Sequence, residues 1–153
     1  MILPPFLKPG DTIGITAPAR KVSVDDIADG IRLLEAWGFK TKPAPHLFAT
    51  QNQFAGSDEQ RAEGFQTLLD DPSVKAIICA RGGYGSVRII DLLDFSTFVK
   101  QPKWICGFSD ITVFHMHLQA NYGVASLHGP TLYNLTGSRL NAEAGEAFRR
   151  LLT

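Results

Sequence analysis

Residues 74–80, Val-Lys-Ala-Ile-Ile-Cys-Ala, are apolar but for one lysine. A strand with one wet face alternates polar and apolar residues. One that is apolar on both faces needs helices above and below it, which is the environment of a parallel sheet. Asp71-Pro72 precedes the run and Arg81-Gly82-Gly83 follows it, so its length and flanks favour a buried strand over a helix.

The remaining pattern repeats strand and helix in turn. Residues 12–16 read as a short strand ended by Ala17-Pro18-Ala19. Ser23 is placed to cap a helix over about 24–37, with Ile27, Ile31, Leu34 and Trp37 as its apolar stripe and Gly38 as its stop. A second strand is expected near 39–44, where Pro43 and Pro45 confine it to an edge or end it. A polar, irregular loop over 46–56 leads to Ser57-Asp58-Glu59-Gln60, a capping-box pattern for a helix through about Leu69. Beyond the strand at 74–80, helical patterns cover 86–93 and 95–99, a strand 103–107 and a helix 110–121. A fifth strand is expected over 124–127 and a last helix over 142–152. This alternation predicts an α/β fold with a doubly wound, mostly parallel sheet and helices on both faces.

A chain of 153 residues suits one domain with a real core. Its 15 basic and 15 acidic residues balance, so no global field favours nucleic acid or an anionic membrane. The start, MILPPFLKPGD, lacks the apolar run of a signal peptide or membrane span, which leaves the cytoplasm as the expected location. Cys79 and Cys106 fall in core strands and are expected to be reduced, buried small hydrophobes. No Cys/His spacing resembles a zinc site, so neither a metal nor a cofactor is expected. The final helix reaches Thr153 with no Gly, Asn or Pro to stop it, and a continuation beyond that residue is the expectation.

The stretch Trp104–Thr112, WICGFSDIT, carries the chemistry. A strand, a sharp Gly-Phe-Ser turn and a helix follow one another, which lifts the Ser109 hydroxyl off the sheet beside helix N–H groups. Such a serine is either a nucleophile, with those amides ready for an oxyanion, or simply a helix cap. The full nucleophile-elbow pattern also wants a glycine two residues on, where Ile111 stands. The glycines of Arg81-Gly82-Gly83-Tyr84-Gly85 either gather amides around an anion or make a tight turn. That loop and the GFSD turn leave the same edge of the sheet, where ligands of doubly wound folds collect. Neither a Gly-Lys-Ser/Thr sequence nor dinucleotide glycine spacing is present. A base is harder to find. His115 lies six residues from Ser109, roughly 9 Å along a helix, and His117 is farther; both read as packing or surface residues. His128 leaves the right edge, either as a base or bonded to local backbone, and His46 sits in a loop without an evident partner.

The segments LKPGDTIGITAPA, FAGSDEQRAEGFQTLLDDPSVKAIICARGGYGSVRIIDLLDF, KWICGFSDITVFHMHL and SLHGP together resemble the LD-carboxypeptidase family of serine peptidases. That family includes murein tetrapeptide carboxypeptidases and microcin C self-immunity peptidases. The resemblance implies a flavodoxin-like or class I amidotransferase-like N-terminal domain over 1–153, and a C-terminal domain, bearing a Glu and a His, that this chain lacks. It implies Ser109 as nucleophile, with the backbone amides of Asp110 and Gly83 as the oxyanion hole. Gly82 and Tyr84 would line the substrate site. Arg81 offers a planar fork for the substrate's terminal carboxylate, or makes a structural ion pair. The implied reaction is metal-free hydrolysis of the amide to a terminal D-alanine of a peptidoglycan-derived tetrapeptide, in cell-wall recycling. The isolated chain is expected to be inactive. The alternatives are an immunity peptidase acting on a peptidyl-nucleotide toxin and a binding module without catalysis. Apolar surface left bare by the absent domain makes self-association, as a homodimer, the expected assembly.

Overall fold

A computed structural model describes residues 1–136 and 139–153. Five parallel strands, β1 (Thr12–Thr16), β2 (Lys40–Pro43), β3 (Val74–Cys79), β4 (Trp104–Gly107) and β5 (Leu127–His128), form one sheet in the order β2-β1-β3-β4-β5. This 2-1-3-4-5 order is the flavodoxin-like one. The chain reverses its direction of travel across the sheet between β1 and β3, which opens a crevice at their carboxyl ends.

From Ala76 onward residues of β3 point alternately to the two faces, while a register shift between Val74 and Ala76 puts Val74 in the layer of Ile77. Ala76 and Ile78 pack in a layer with Ile27 and Leu34 of α1 (Val24–Ala36), and with Phe148 and Leu152 of the last helix, Ala142–Leu152. Val74, Ile77 and Cys79 pack in the opposite layer with Phe65 and Leu68 of α2 (Asp58–Asp70) and Phe98 of a short helix, Ser96–Lys100. Phe114 and Leu118 of the helix Thr112–Tyr122 complete that layer. Phe65 and Phe114 stack with ring centroids 4.5 Å apart and join α2 to this helix. Helices thus cover both faces of a fully parallel sheet, as the apolar run at 74–80 requires. Cys79 and Cys106 are free, and they lie in opposite layers. Burial raises both thiols well above their ordinary pKa.

Both serine caps close as capping boxes, Ser23 with Asp26 and Ser57 with Gln60. Gly38, at φ +91°, ends the first helix, and β2 is an edge strand. Three expectations need correction. The helix at 86–93 is α-helical only over Ser86–Ile89 (α3) and tightens to 3₁₀ over Ile90–Leu92. The helix after β4 begins with a 3₁₀ turn, Ser109–Ile111, and becomes α-helical at Thr112. The fifth strand is shorter and later than 124–127, because Ile2 occupies the neighbouring position. Ile2 bridges Val124 in parallel and bonds to Gly123 and Ala125 at 2.7 and 2.8 Å, so pairing with β4 starts only at Leu127.

Candidate active site

The carboxyl end of β4 delivers Gly107 and then Ser109. Gly107 is extended so far that a side chain there would strike Ile111. Ser109 has φ +61°, left-handed backbone that costs an L-residue about 1 kcal/mol or more. The residue is exposed at the rim of the sheet, and its hydroxyl does not cap the helix that follows. A strained serine held proud of a strand–helix junction is the geometry of a nucleophile elbow. The next amide, that of Asp110, lies in the first turn of the helix, where no intrahelical acceptor is available.

The glycine loop faces this turn. A methyl placed on Gly82 would sit 3.5 Å from Cβ of Ser109 and 3.6 Å from N of Asp110. Gly83, at φ +117°, turns its back on Arg20, whose Cβ a side chain at 83 would approach to 2.9 Å. The main chain of Arg20 donates to the Gly82 carbonyl at 3.4 Å and ties the loop to the β1–α1 connection. The two motifs therefore converge at one rim, where Gly82 faces Ser109 and the Asp110 amide.

The flanks differ in character. Arg81 rests its guanidinium 4.4 Å from the centre of the Tyr133 ring, whose other neighbour is Arg139 at 3.9 Å. Among the described residues Arg81 pairs with no carboxylate, so its fork is not spent on a structural ion pair. On the other side Tyr84 is exposed, its ring 6.2 Å from that of Phe54.

The histidines divide by role. His115 is buried six residues beyond Ser109, its Nδ1 2.8 Å from Oγ of Ser126 and its Nε2 2.9 Å from the Gly107 carbonyl. It is a packing residue, engaged at both nitrogens, and burial lowers its pKa below the ordinary histidine value. His117 packs against Phe95 and Tyr122. His46 has a partner that its loop setting did not suggest, Glu63 on α2 at 3.0 Å. His128 is exposed at the rim, with its ring 5.8 Å from that of His115 and 6.4 Å from that of Phe108. No group of three His, Cys, Asp or Glu side chains among the described residues is arranged to hold a metal ion.

Three side chains, those of Arg61, Arg88 and Asp110, build the site in ways the sequence did not indicate. Arg61 is a buried cation on α2, paired with Asp58 and donating to the carbonyls of Pro18 (2.7 Å) and Gly85 (3.0 Å). Arg88 also pairs with Asp58 and, as the largest cause, holds that carboxyl below the usual range. The carboxylate of Asp110 accepts from the Ser86 N–H at 2.9 Å, which joins the serine turn to the end of the glycine loop. Arg61 had a readable signal: it occupies the buried stripe of its helix at i, i+4 and i+7 with Phe65 and Leu68.

Residues 13–129 match the N-terminal domain of LD-carboxypeptidases. A probable murein peptide carboxypeptidase of Bacillus subtilis is 36% identical over 84% of this chain and 40% of its own length. Among solved structures, the microcin C7 self-immunity protein MccF bound to aspartyl sulfamoyl adenosine superposes at TM-score 0.93, with 27% identity, over all of this chain and 47% of that one. The muramoyltetrapeptide carboxypeptidase from Oxalobacter formigenes does so at 0.83, with 31% identity, over 93% and 48% respectively. The chain thus spans half or less of the length of these relatives. With its all-parallel sheet, its RGGYG loop and its GFSD turn, it belongs to the LD-carboxypeptidase family, whose N-terminal domain it represents.

Proposed function

We propose that this chain carries the nucleophile of an LD-carboxypeptidase and that Ser109 is that nucleophile. The observation that carries the reading is the exposed Ser109, strained at φ +61° and facing Gly82 across the rim. Its Oγ would attack the carbonyl carbon of the amide before a terminal D-amino acid. The amide of Asp110, with that of Gly83, would receive the oxyanion. A base takes the hydroxyl proton and returns it to the departing amine, D-alanine in the murein tetrapeptide. Water then cleaves the acyl ester and restores the serine. The net reaction consumes one water and releases the shortened peptide and the D-amino acid. Arg81, which pairs with no carboxylate among the described residues, is suited to the substrate's terminal carboxylate, and we assign Gly82 and Tyr84 to the same substrate site.

No His–carboxylate pair stands beside Ser109 among the described residues, which supports supply of the base, a Glu and a His, by a second domain. On this reading residues 1–153 are the nucleophile-bearing domain, and the chain alone is inactive. The enzyme works in the cytoplasm; no helix among the described residues is long and apolar enough to cross a membrane. Exposed Leu3 and Phe6 support association with further polypeptide, a second domain or a second copy in a homodimer.

The test is complementation with the C-terminal half of a murein peptide carboxypeptidase of the family. The complemented chain should release D-alanine from the tetrapeptide, spare the all-L isomer and lose activity in Ser109→Ala. Equal cleavage of both isomers, or activity surviving that substitution, would overturn the proposal. The superposition on MccF with its bound aspartyl sulfamoyl adenosine favours a second reading, an immunity peptidase for peptidyl-nucleotides. Preference for an aminoacyl sulfamoyl nucleoside over the tetrapeptide would select it.

A further inference from the structure

We infer that Arg61 and Asp110 clamp one peptide group, that between Gly85 and Ser86, and so hold the glycine loop in register with the nucleophile turn. The two contacts fall on opposite ends of a single amide plane. Nη1 of Arg61 donates to the Gly85 carbonyl at 3.0 Å, and Oδ2 of Asp110 accepts from the Ser86 N–H at 2.9 Å. A peptide dipole has its negative end at oxygen and its positive end at the N–H, so a cation on the first and an anion on the second oppose any rotation of the plane. Gly85 itself has φ +148°, and a side chain on it would come within 2.7 Å of Nη1 of Arg61 and 3.0 Å of the main chain of Ala19. The guanidinium therefore seats directly against the backbone.

Each end of the clamp is anchored elsewhere. Arg61 also donates to Pro18 in the β1–α1 connection, lies 4.8 Å from the centre of the Phe54 ring and is neutralised by Asp58. Asp110 is the residue after Ser109, so its side chain grips the loop while its main chain belongs to the serine turn. Ser86 is fully buried, and its own hydroxyl has no partner among the described residues; what it contributes is its N–H. Asp110 is thus a positioning residue through its carboxylate, and Arg61 is its counterpart across the peptide. The clamp is a statement of geometry. Its effect on reactivity rests on the reading of Ser109 as nucleophile.

Hydrogen exchange of the Ser86 amide, followed by NMR, tests the clamp without reference to catalysis. In Asp110→Ala that amide should exchange about tenfold faster, the loss expected when a side-chain acceptor is removed from a helix start, while Ile77 in β3 is unchanged. Asp110→Asn keeps an acceptor but not the charge and should fall between. An unchanged Ser86 rate in either folded variant overturns the clamp, so Asp110→Asn decides the matter if the alanine variant does not fold. Phosphonylation of Ser109 in the complemented chain should slow about tenfold in Asp110→Ala, in step with the exchange rate. Normal phosphonylation despite fast exchange would refute the positioning role. If wild-type Ser109 is never phosphonylated, the nucleophile reading fails while the exchange data still judge the clamp.

Discussion

Nε2 of His115 lies 2.9 Å from the carbonyl oxygen of Gly107, the second residue before the strained serine. A carbonyl can only accept, so Nε2 carries the proton, and Nδ1 of the neutral ring accepts from the Ser126 hydroxyl at 2.8 Å. The imidazole therefore braces the end of β4 against β5, and Gly129 N–H joins it on the same carbonyl at 3.1 Å.

Burial, the largest cause, together with the nearby His128, lowers the His115 pKa below 6.5 against the raising effect of the Gly107 bond. As pH falls through 6.5 the unfolded imidazole takes up a proton that the folded one refuses, so the unfolded state gains and stability drops. His115→Phe should cost about 1–3 kcal/mol at pH 7.5 by orphaning the Ser126 hydroxyl and removing one donor from Gly107. That deficit should shrink at pH 5, where only the wild type pays for keeping its histidine neutral. Thermal denaturation at the two pH values measures it; a deficit that grows on acidification contradicts the tautomer and burial argument.

The two adjacent glycines should respond oppositely. An alanine at 82 meets only ordinary contacts of 3.4–3.6 Å, yet its methyl stands before Ser109 and the Asp110 amide. Gly82→Ala is expected to fold normally, within about 0.5 kcal/mol of wild type, while Ser109 acylation falls about a hundredfold or more. Gly83→Ala combines φ +117° with a 2.9 Å collision against Arg20 and should lose about 1–3 kcal/mol of stability. Denaturant titration beside an acylation assay separates the two.

Strain at Ser109 is measurable in the same way. Glycine tolerates φ +61° and alanine does not, so Ser109→Gly should be more stable than Ser109→Ala by about 1 kcal/mol. Equal stabilities would mean that the elbow is not strained.

Lys103 provides a check on the other end of β4. It is buried, donates to the carbonyls of Leu68 and Asp71 at 3.0 and 2.7 Å, and burial lowers its pKa from 10.5 to about 8 against the pull of Asp71. Between pH 8 and 10.5 the unfolded chain binds the proton that the folded chain has released, so this lysine adds stability as pH rises through that window. Wild type should gain on Lys103→Met by up to about 3 kcal/mol over the interval. A constant difference in denaturation midpoint would show that the amine stays charged.

The layers of the fold were readable because each has a periodic cause. Val74 to Ala80 is apolar but for Lys75, and Ser23 and Ser57 announce their helices through side-chain chemistry three residues long. The site was readable as far as its two glycine-bearing turns, whose meeting follows from parallel strands in the order β1-β3-β4. What escaped depends on contacts distant in sequence. Ile2 displaced the start of β5 across 122 residues of chain, and no local pattern near 124–127 records that. His46 finds Glu63, and Asp110 reaches Ser86, only once helices and loops are packed. The carboxylate of Asp110 was hidden behind the role of its own amide, and Arg61 behind the expectation that a charged residue on a helix faces water.

The most direct measurement is fluorophosphonate labelling of the complemented chain with the modified residue located by mass spectrometry. A single phosphonylated site at Ser109 is expected, lost in Ser109→Ala and blocked by the D-alanyl tetrapeptide. Labelling that persists in Ser109→Ala, or falls on another residue, would contradict Ser109 as the nucleophile.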